Sequence, residues 1–264
     1  METVKYLVQS DVFHEDKSYP SHTFDVIKSH FPSAEVIPDE KIWIAKSFPR
    51  GIFRGSMLLA SKMGEKFEYT NALNWAPPLK QYLFNREYFF LDLEAMLTGI
   101  ELSPPESSRY FVRSASGNKF LAGQVFGKNH LWMSGIPKFV DKNTICMCSA
   151  AKDLPKYETR FIFVNGKPVA YSTYLLDGKV TSFFNDKCLS VPSKVTKFAE
   201  ELGQNPYFDN IFNYVIDIIW DDNNAPTLLE INAFETSSFY HADLNTIYKA
   251  QKDFLVESLN KHTY

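Results

Sequence analysis

The pattern of apolar and polar positions is clearest in residues 212–232, where two almost continuously apolar segments flank a polar turn centred on residues 223–224. It predicts two strands joined as a hairpin. Successive side chains of a strand point to opposite faces, so Asp217 in the first strand and Glu230 in the second are expected to face each other. Like charges in that position destabilise an antiparallel pair, and a bound cation would compensate them.

Asn232 adds an amide oxygen to the face that carries Glu230. Two carboxylates and an amide are hard oxygen ligands, which suit Mg²⁺ held partly by the protein and partly by substrate phosphates. The alternative is an edge hairpin whose acidic side chains face water, but strands as apolar as these are typical of burial on both faces. We therefore predict that Asp217, Glu230 and Asn232 bind Mg²⁺, and that removing one carboxylate leaves the fold intact or stabilises the metal-free protein.

The first hundred residues alternate strand and helix patterns, which is typical of a small α/β lobe. Arg50 and Arg54 lie in a predicted glycine-containing loop that opens a short helix. The segment 101–108 has two prolines among polar residues and is the predicted linker, which divides the chain into domains at residues 1–104 and 105–264. The first region has predicted strands at residues 5–8 and 41–45 and predicted helices at residues 21–31 and 85–98.

Strand patterns dominate after the linker, so the fold class expected from the whole chain is α+β. Asn-Gly at residues 165–166 and Asp-Gly at residues 177–178 predict tight hairpins. Helices are predicted at residues 192–202, with Pro192 at the first position and Gly203 past the end, and from residue 242 onward. The predicted strands are residues 109–113, 120–126, 144–148, 158–164, 168–175, 180–184, 212–220 and 227–232.

Composition excludes several classes of protein. The 264 residues are 45% hydrophobic and 22% charged with a net charge of −3, which is ordinary for a globular protein and gives no electrostatic footprint for nucleic acid. The sequence has neither a secretory apolar region at its amino terminus nor a segment long enough to span a membrane, which predicts a cytoplasmic protein. Three cysteines, Cys146, Cys148 and Cys188, form neither an even disulfide framework nor a closed zinc site, and are expected to be small buried side chains.

Two further patterns carry charge. Arg113 ends a predicted strand and Lys119 follows after a short polar loop, an arrangement suited to phosphate oxygens, with two solvated cations as the alternative. Glu158 and Arg160 are two residues apart and share one face of a predicted strand, where a surface ion pair is the alternative.

The order of these motifs resembles the ATP-grasp superfamily, in particular its compact members with an Arg-ended strand and a Lys-containing loop. The motifs are FVR, SASGNK, ETRFIFVNGKPVAYSTY, VIDI and LLEINAF, and they cover residues 109–249. The resemblance implies an ATP-grasp fold, in which two lobes with antiparallel sheets enclose a nucleotide cleft, preceded by a small α/β lobe. Two positions depart from the common form: Ser114 stands where proline is usual, and the loop before Phe120 holds one glycine.

The resemblance also implies roles for single residues. Arg113 stands where a phosphate-binding lysine is usual, and Lys119 would close over the β and γ phosphates. Glu158 matches the residue that binds the ribose hydroxyls, and Arg160 would neutralise an acyl phosphate in the same cleft. Asp217, Glu230 and Asn232 match the Mg²⁺ ligands, and the strand containing Cys146 and Cys148 would present its backbone to the adenine.

The activity implied by the resemblance is an ATP- and Mg²⁺-dependent carboxylate–amine ligase that works through an acylphosphate. Its partners would be ATP, a carboxylate and an amine, each a small molecule or a peptide. This chemistry needs no covalent nucleophile, in agreement with the absence of a nucleophilic triad in the sequence. Arg50 and Arg54 are candidate carboxylate clamps. The alternatives are a phosphotransferase acting on a hydroxyl and a nucleotide-binding protein without catalytic activity.

Overall fold

A computed structural model of the chain describes residues 6–9, 20–38, 40–42, 52–97, 109–116, 123–127, 141–180 and 189–261. Its helices are α1 (Pro20–His30), α2 (Met57–Met63), α3 (Ala72–Trp75), α4 (Leu93–Leu97), α5 (Ser193–Gly203) and α6 (Leu244–Lys261). Its strands are β1 (Tyr6–Gln9), β2 (Glu35–Ile37), β3 (Ile52–Arg54), β4 (Tyr88–Asp92), β5 (Arg109–Ser114), β6 (Gln124–Gly127), β7 (Ile145–Ala150), β8 (Tyr157–Val164), β9 (Lys167–Leu176), β10 (Lys179–Val180), β11 (Asn213–Trp220) and β12 (Pro226–Ala233).

The chain divides into two compact units that are not continuous in sequence. The first contains Met1–Lys66, Pro155–Pro226 and Glu230–Tyr264, and the second contains Phe67–Leu154 and Thr227–Leu229. The predicted boundary at residues 104–105 falls inside the range of the second unit, and the whole predicted linker, residues 101–108, lies outside the described residues.

The first unit holds two sheets. β1 lies between β2 and β3 in a parallel sheet, and a five-stranded sheet has the order β10-β9-β8-β11-β12 with antiparallel pairing from β10 to β11. One buried apolar cluster joins them, because β1, α1, β8, β11 and α6 all contribute side chains to it. Its members include Tyr6, Ile27, Ile162, Val215 and Tyr248. The charged groups described below are therefore carried on a sheet with a packed apolar core.

The second unit is built on a four-stranded antiparallel sheet of order β4-β7-β5-β6. One face of this sheet packs into a cluster that includes Leu93, Tyr110, Val112, Cys146 and Cys148. The expectation that these two cysteines are small buried side chains is confirmed.

The prediction of a helix at residues 85–98 is wrong. Residues 88–92 form β4, and of the described residues in this range only Leu93–Leu97 are helical. β4 begins with three aromatic residues, which favour strands, and it pairs along its length with β7, where Phe89 lies opposite Cys148. This pairing with a distant strand outweighs the local helical pattern. The predicted strand at residues 41–45 is also not found in its described part, because residues 40–42 form a helical turn.

Both predicted tight hairpins are confirmed. Asn165 and Gly166 have φ angles of 49° and 73°, and Asp177 and Gly178 have φ angles of 50° and 71°. Two successive positive φ angles are what a two-residue turn needs to match the twist of its flanking strands. In the described part of the chain, no helix is both long and apolar enough to cross a membrane.

The end of α5 packs against the hairpin turn between β8 and β9. Gly203 lies inside α5, whereas the sequence pattern placed it past the end. A Cβ at Gly203 would lie 2.2 Å from the carbonyl oxygen of Gly166 and 2.8 Å from a ring carbon of Phe163. Only glycine therefore permits this contact without movement of the backbone.

We expect Gly203→Ala to lower the free energy of unfolding by about 1–3 kcal/mol, because the added methyl group overpacks the contact with the turn. Helix propensity alone gives the opposite sign, a gain of up to about 1 kcal/mol. Urea unfolding of the variant decides between them. Lys197→Ala, on the exposed side of the same helix, is the control and should change stability by less than about 0.5 kcal/mol. A stabilised Gly203→Ala variant would contradict the tight contact.

Candidate functional site

A buried ion pair lies at the centre of the five-stranded sheet. Asp217 of β11 lies directly opposite Arg160 of β8 in the strand register, so both side chains project from the same face. The guanidinium donates from Nε to Oδ1 and from Nη2 to Oδ2 of Asp217, both at 2.8 Å. Burial disfavours the charge of Arg160, but Asp217 raises the pKa of the guanidinium above its usual value. The pair is bidentate and almost completely shielded from solvent.

The three predicted metal ligands meet at one amide group. Nδ2 of Asn232 donates to Oδ2 of Asp217 at 2.9 Å and to Oε1 of Glu230 at 2.8 Å. A half-turn of that amide about its terminal bond would exchange its nitrogen for its oxygen and bring three oxygens together. The sequence pattern predicts a bound metal cation opposite the charge of Asp217, whereas in the structure the guanidinium of Arg160 compensates that charge.

Glu158 lies two residues before Arg160 on β8 and is also buried. It accepts a hydrogen bond from the hydroxyl of Tyr174. Burial raises the pKa of Glu158 to about 8, and the nearby negative charges of Asp217 and Glu230 contribute to the rise, although the hydrogen bond from Tyr174 opposes it. The alternative of a surface ion pair between Glu158 and Arg160 is excluded, because both side chains are buried and Arg160 pairs with Asp217.

Two tyrosines that the sequence analysis missed complete the surroundings of Arg160. The rings of Tyr174 and Tyr240 stack with centroids 4.4 Å apart, and the guanidinium carbon lies 5.2 Å and 5.1 Å from their respective centroids. These distances are within the range of cation–π attraction. Nη1 of Arg160 donates at 2.9 Å to the backbone carbonyl of Ser238. The guanidinium is therefore held from several directions at once.

A bulge explains why Tyr174 faces this site. Thr159 lies opposite Thr173 and Glu158 lies opposite Leu175, so Tyr174 is an extra residue in β9. Bulges redirect side chains relative to the regular alternation of a strand. No signal in the local sequence of β9 marks that position.

The side-chain oxygens of Asp217, Glu230 and Asn232 are of the kind that binds a hard divalent cation. Glu158 is near the carboxylates of Asp217 and Glu230, and repulsion from their negative charges contributes to its raised pKa. Among the residues that the structure describes, no group of three His, Cys, Asp or Glu side chains could hold a metal. Two carboxylates and an amide would thus supply only part of a coordination shell. That is the situation in which Mg²⁺ keeps water and substrate phosphates as its other ligands.

The other predicted site residues lie in β3, in the second unit or outside the described residues. Arg113 is buried at the end of β5, opposite Met147 of β7. Lys119 and Arg50 lie outside the described residues. Arg54 is fully buried in β3, so the prediction that it lies in a loop is wrong, while its role as a carboxylate clamp stays a prediction.

The predicted adenine contact at the backbone of Cys146 and Cys148 stays a prediction. β7 is a central strand that pairs with β4 on one side and β5 on the other, so the backbone groups of both cysteines are engaged in the sheet. Their thiols are buried, which raises the pKa of Cys146 to about 11 and that of Cys148 to about 12. Such thiols are protonated and unreactive at neutral pH.

Comparison with known proteins gives a family match and several similar folds. The model of the ATP-grasp domain, R-2-K clade family 3, matches residues 61–250. No curated protein matches the chain. The structure is similar to that of D-cycloserine synthetase DcsG, with a TM-score of 0.63 and 11% identity over 97% of this chain and 99% of the other.

Two further solved structures are similar in the same way. One is D-alanine–D-alanine ligase from Bacillus anthracis in complex with ATP, with a TM-score of 0.60 and 9% identity over 98% of this chain and 99% of the other. The other is the ATP-grasp ligase PsnB in complex with a minimal precursor, with a TM-score of 0.56 and 9% identity over 97% of this chain and 99% of the other. At these identities the likeness shows the fold, and the predicted α+β ATP-grasp fold is confirmed.

Proposed function

Because the chain belongs to the ATP-grasp family, R-2-K clade family 3, we propose that it is an ATP- and Mg²⁺-dependent carboxylate–amine ligase that acts through an acylphosphate. The observation that carries the proposal is the network of Arg160, Asp217, Asn232 and Glu230, in which one amide group contacts both carboxylates. The names of the similar structures agree with ligase chemistry: a synthetase, a ligase in complex with ATP and a ligase in complex with a precursor.

Asp217, Glu230 and Asn232 would hold the metal. When bound, Mg²⁺ would neutralise negative charge on the transferring phosphoryl group. Asp217 has a second task, because it also orients the guanidinium of Arg160 through two hydrogen bonds. The carboxylate of Glu230 is only partly buried, so an incoming ligand can reach it.

Arg160 would stabilise negative charge during phosphoryl transfer. Its guanidinium is held by Asp217, by the carbonyl of Ser238 and by two aromatic rings, so it needs little reorganisation when charge develops beside it. Such fixed charges in a site shielded from water are among the largest contributions to catalysis. Glu158 would bind the ribose hydroxyls, and Arg113 and Lys119 would bind phosphates. Substrate attack needs no nucleophile from the protein, so the buried cysteines take no part.

Trapping with hydroxylamine tests the acylphosphate. The protein is incubated with Mg²⁺, ATP and a panel of amino acids, small organic acids and peptides, with and without hydroxylamine. We expect one class of acid to give a hydroxamate together with ADP and free phosphate in equal amounts, because hydroxylamine intercepts the activated carboxylate. Addition of the natural amine should replace the hydroxamate by a product lighter by one water than the sum of acid and amine.

The same assay separates the alternatives. A phosphotransferase would give one ADP per stable phosphorylated product, with neither free phosphate nor hydroxamate. A nucleotide-binding protein without catalytic activity would bind Mg²⁺ and ATP and form no ADP with any member of the panel. Either result would overturn the ligase proposal.

A further inference from the structure

Arg54 of β3 is a buried arginine whose contacts converge on one short segment of the chain. Its guanidinium donates from Nη1 to the carbonyl of Phe234 and from Nη2 to the carbonyl of Ser237. The guanidinium carbon also lies 3.8 Å from the ring centroid of Phe239. Gly55, the next residue, donates its N–H to the carbonyl of Glu235 at 2.9 Å. The end of β3 therefore holds residues 234–239, which directly follow β12, through hydrogen bonds and a ring contact.

Burying a guanidinium to hold a loop in place costs free energy, because the cation loses its hydration. Burial lowers the pKa of Arg54, while the neighbouring Tyr248, Tyr6 and Glu235 favour its charged form. An apolar side chain of similar size would avoid the loss of hydration that a buried cation suffers. The planar guanidinium binds two carbonyl oxygens and one aromatic face at defined positions. It therefore fixes the geometry of residues 234–239 in a way that an apolar side chain would not.

The other side of residues 234–240 faces the proposed catalytic arginine. The carbonyl of Ser238 accepts a hydrogen bond from Arg160, and the ring of Tyr240 stacks on Tyr174, which itself donates to Glu158. Tyr240 has a φ angle of 50°, a left-handed conformation that a tyrosine adopts only when its surroundings hold it there. The segment is thus fastened by Arg54 on one side and contacts Arg160 on the other.

We propose that Arg54 is a positioning residue, which holds residues 234–240 so that Ser238 and Tyr240 fix the orientation of the Arg160 guanidinium. Its effect on turnover rests on the proposed function. Its effect on Arg160 does not, and it can be measured without substrate. This assigns a task to the buried cation of β3 that an accessible loop arginine could not perform.

The experiment follows the side-chain Nε–H of Arg160 by NMR of protein labelled with ¹⁵N-arginine, with Arg160→Lys used to assign the signal. In Arg54→Met we expect the Arg160 Nε–H to shift and to exchange with solvent about tenfold faster or more. Once the contact of Nη1 with Ser238 is lost, the guanidinium is less firmly held and the hydrogen bond from Nε to Asp217 opens more often. Arg54→Lys keeps the charge and one donor group, and should give an intermediate shift. Val195→Ala on α5, which packs on β9 and β11, is the control for a general loss of stability and should leave the signal unchanged.

An unchanged Arg160 signal in a folded Arg54→Met protein would overturn the proposal. If Arg54→Met does not fold, Arg54→Lys decides by the same criterion, since an Arg160 signal identical to that of the wild type would also overturn it. A shift of the same size in Val195→Ala would show a merely structural effect and count against the proposal. With turnover measurable, Arg54→Met should lower kcat and leave the KM for ATP within about twofold. A failed hydroxamate assay with an altered Arg160 signal would reject the ligase and keep the positioning role.

Discussion

Asp217→Asn is expected to lower the free energy of unfolding by about 3–5 kcal/mol, which is a large part of the stability of a typical domain. Asp217 is fully buried and accepts both hydrogen bonds of the Arg160 guanidinium. Removing its charge leaves a buried cation without its partner. Urea unfolding followed by far-UV circular dichroism measures the loss.

The matched control removes both charges. In the double variant Arg160→Met with Asp217→Leu, no buried charge of the pair is left, so most of the lost stability should return. If Asp217→Asn is as stable as the wild type, the ion pair between Arg160 and Asp217 contributes little to the stability of the fold. For Asp217, though not for Glu230, the ion pair reverses the expectation from sequence that removal of the carboxylate leaves the fold intact or stabilises it.

Glu230→Gln is expected to lower ATP-dependent turnover by about 100-fold while stability changes by less than about 0.5 kcal/mol. Glu230 is only partly buried, and a glutamine oxygen at the same place can still accept the hydrogen bond from Asn232. What the variant loses is the negative charge offered to Mg²⁺. Turnover measured over a range of Mg²⁺ concentrations should therefore show a requirement for more metal.

Glu200→Gln, on an exposed part of α5, makes the same chemical change away from the site and should leave turnover unchanged. Equal turnover of Glu230→Gln and the wild type at both low and high Mg²⁺ would remove Glu230 from the metal site. A loss of turnover that excess Mg²⁺ fails to relieve, together with lost stability, would instead indicate a structural role.

Local patterns were sufficient to predict most of the five-stranded sheet. β8, β9, β11 and β12 lie within two residues of their predicted limits, because alternating or continuous apolar runs and Asn-Gly and Asp-Gly turns act over short distances. The same short-range alternation predicts Glu230 and Asn232 on one face of β12. In the structure the amide of Asn232 donates to both Glu230 and Asp217. The family resemblance needed only the order of these motifs, and the family match confirms it.

The features that were missed depend on residues far apart in sequence. Arg160 pairs with Asp217 through a register between β8 and β11 that no local pattern specifies. Tyr174 faces the site because of a bulge, and β4 is a strand because β7 lies beside it. Local patterns also do not indicate which segments make up the first unit, because it is built from three separate stretches of the chain.

The shared core of the first unit has a consequence for the order of events during synthesis. Tyr6 of β1 and Tyr248 of α6 pack with ring centroids 6.1 Å apart, although almost the whole chain separates them in sequence. β1 can therefore bury its apolar face against α6 only after α6 has left the ribosome. The sheet of the second unit needs no residue after β7 for its strands to pair, so it can form while the rest is still being made. Until then the apolar side chains of β1 and α1 lack part of their packing, which is the period when chaperones would be of most use.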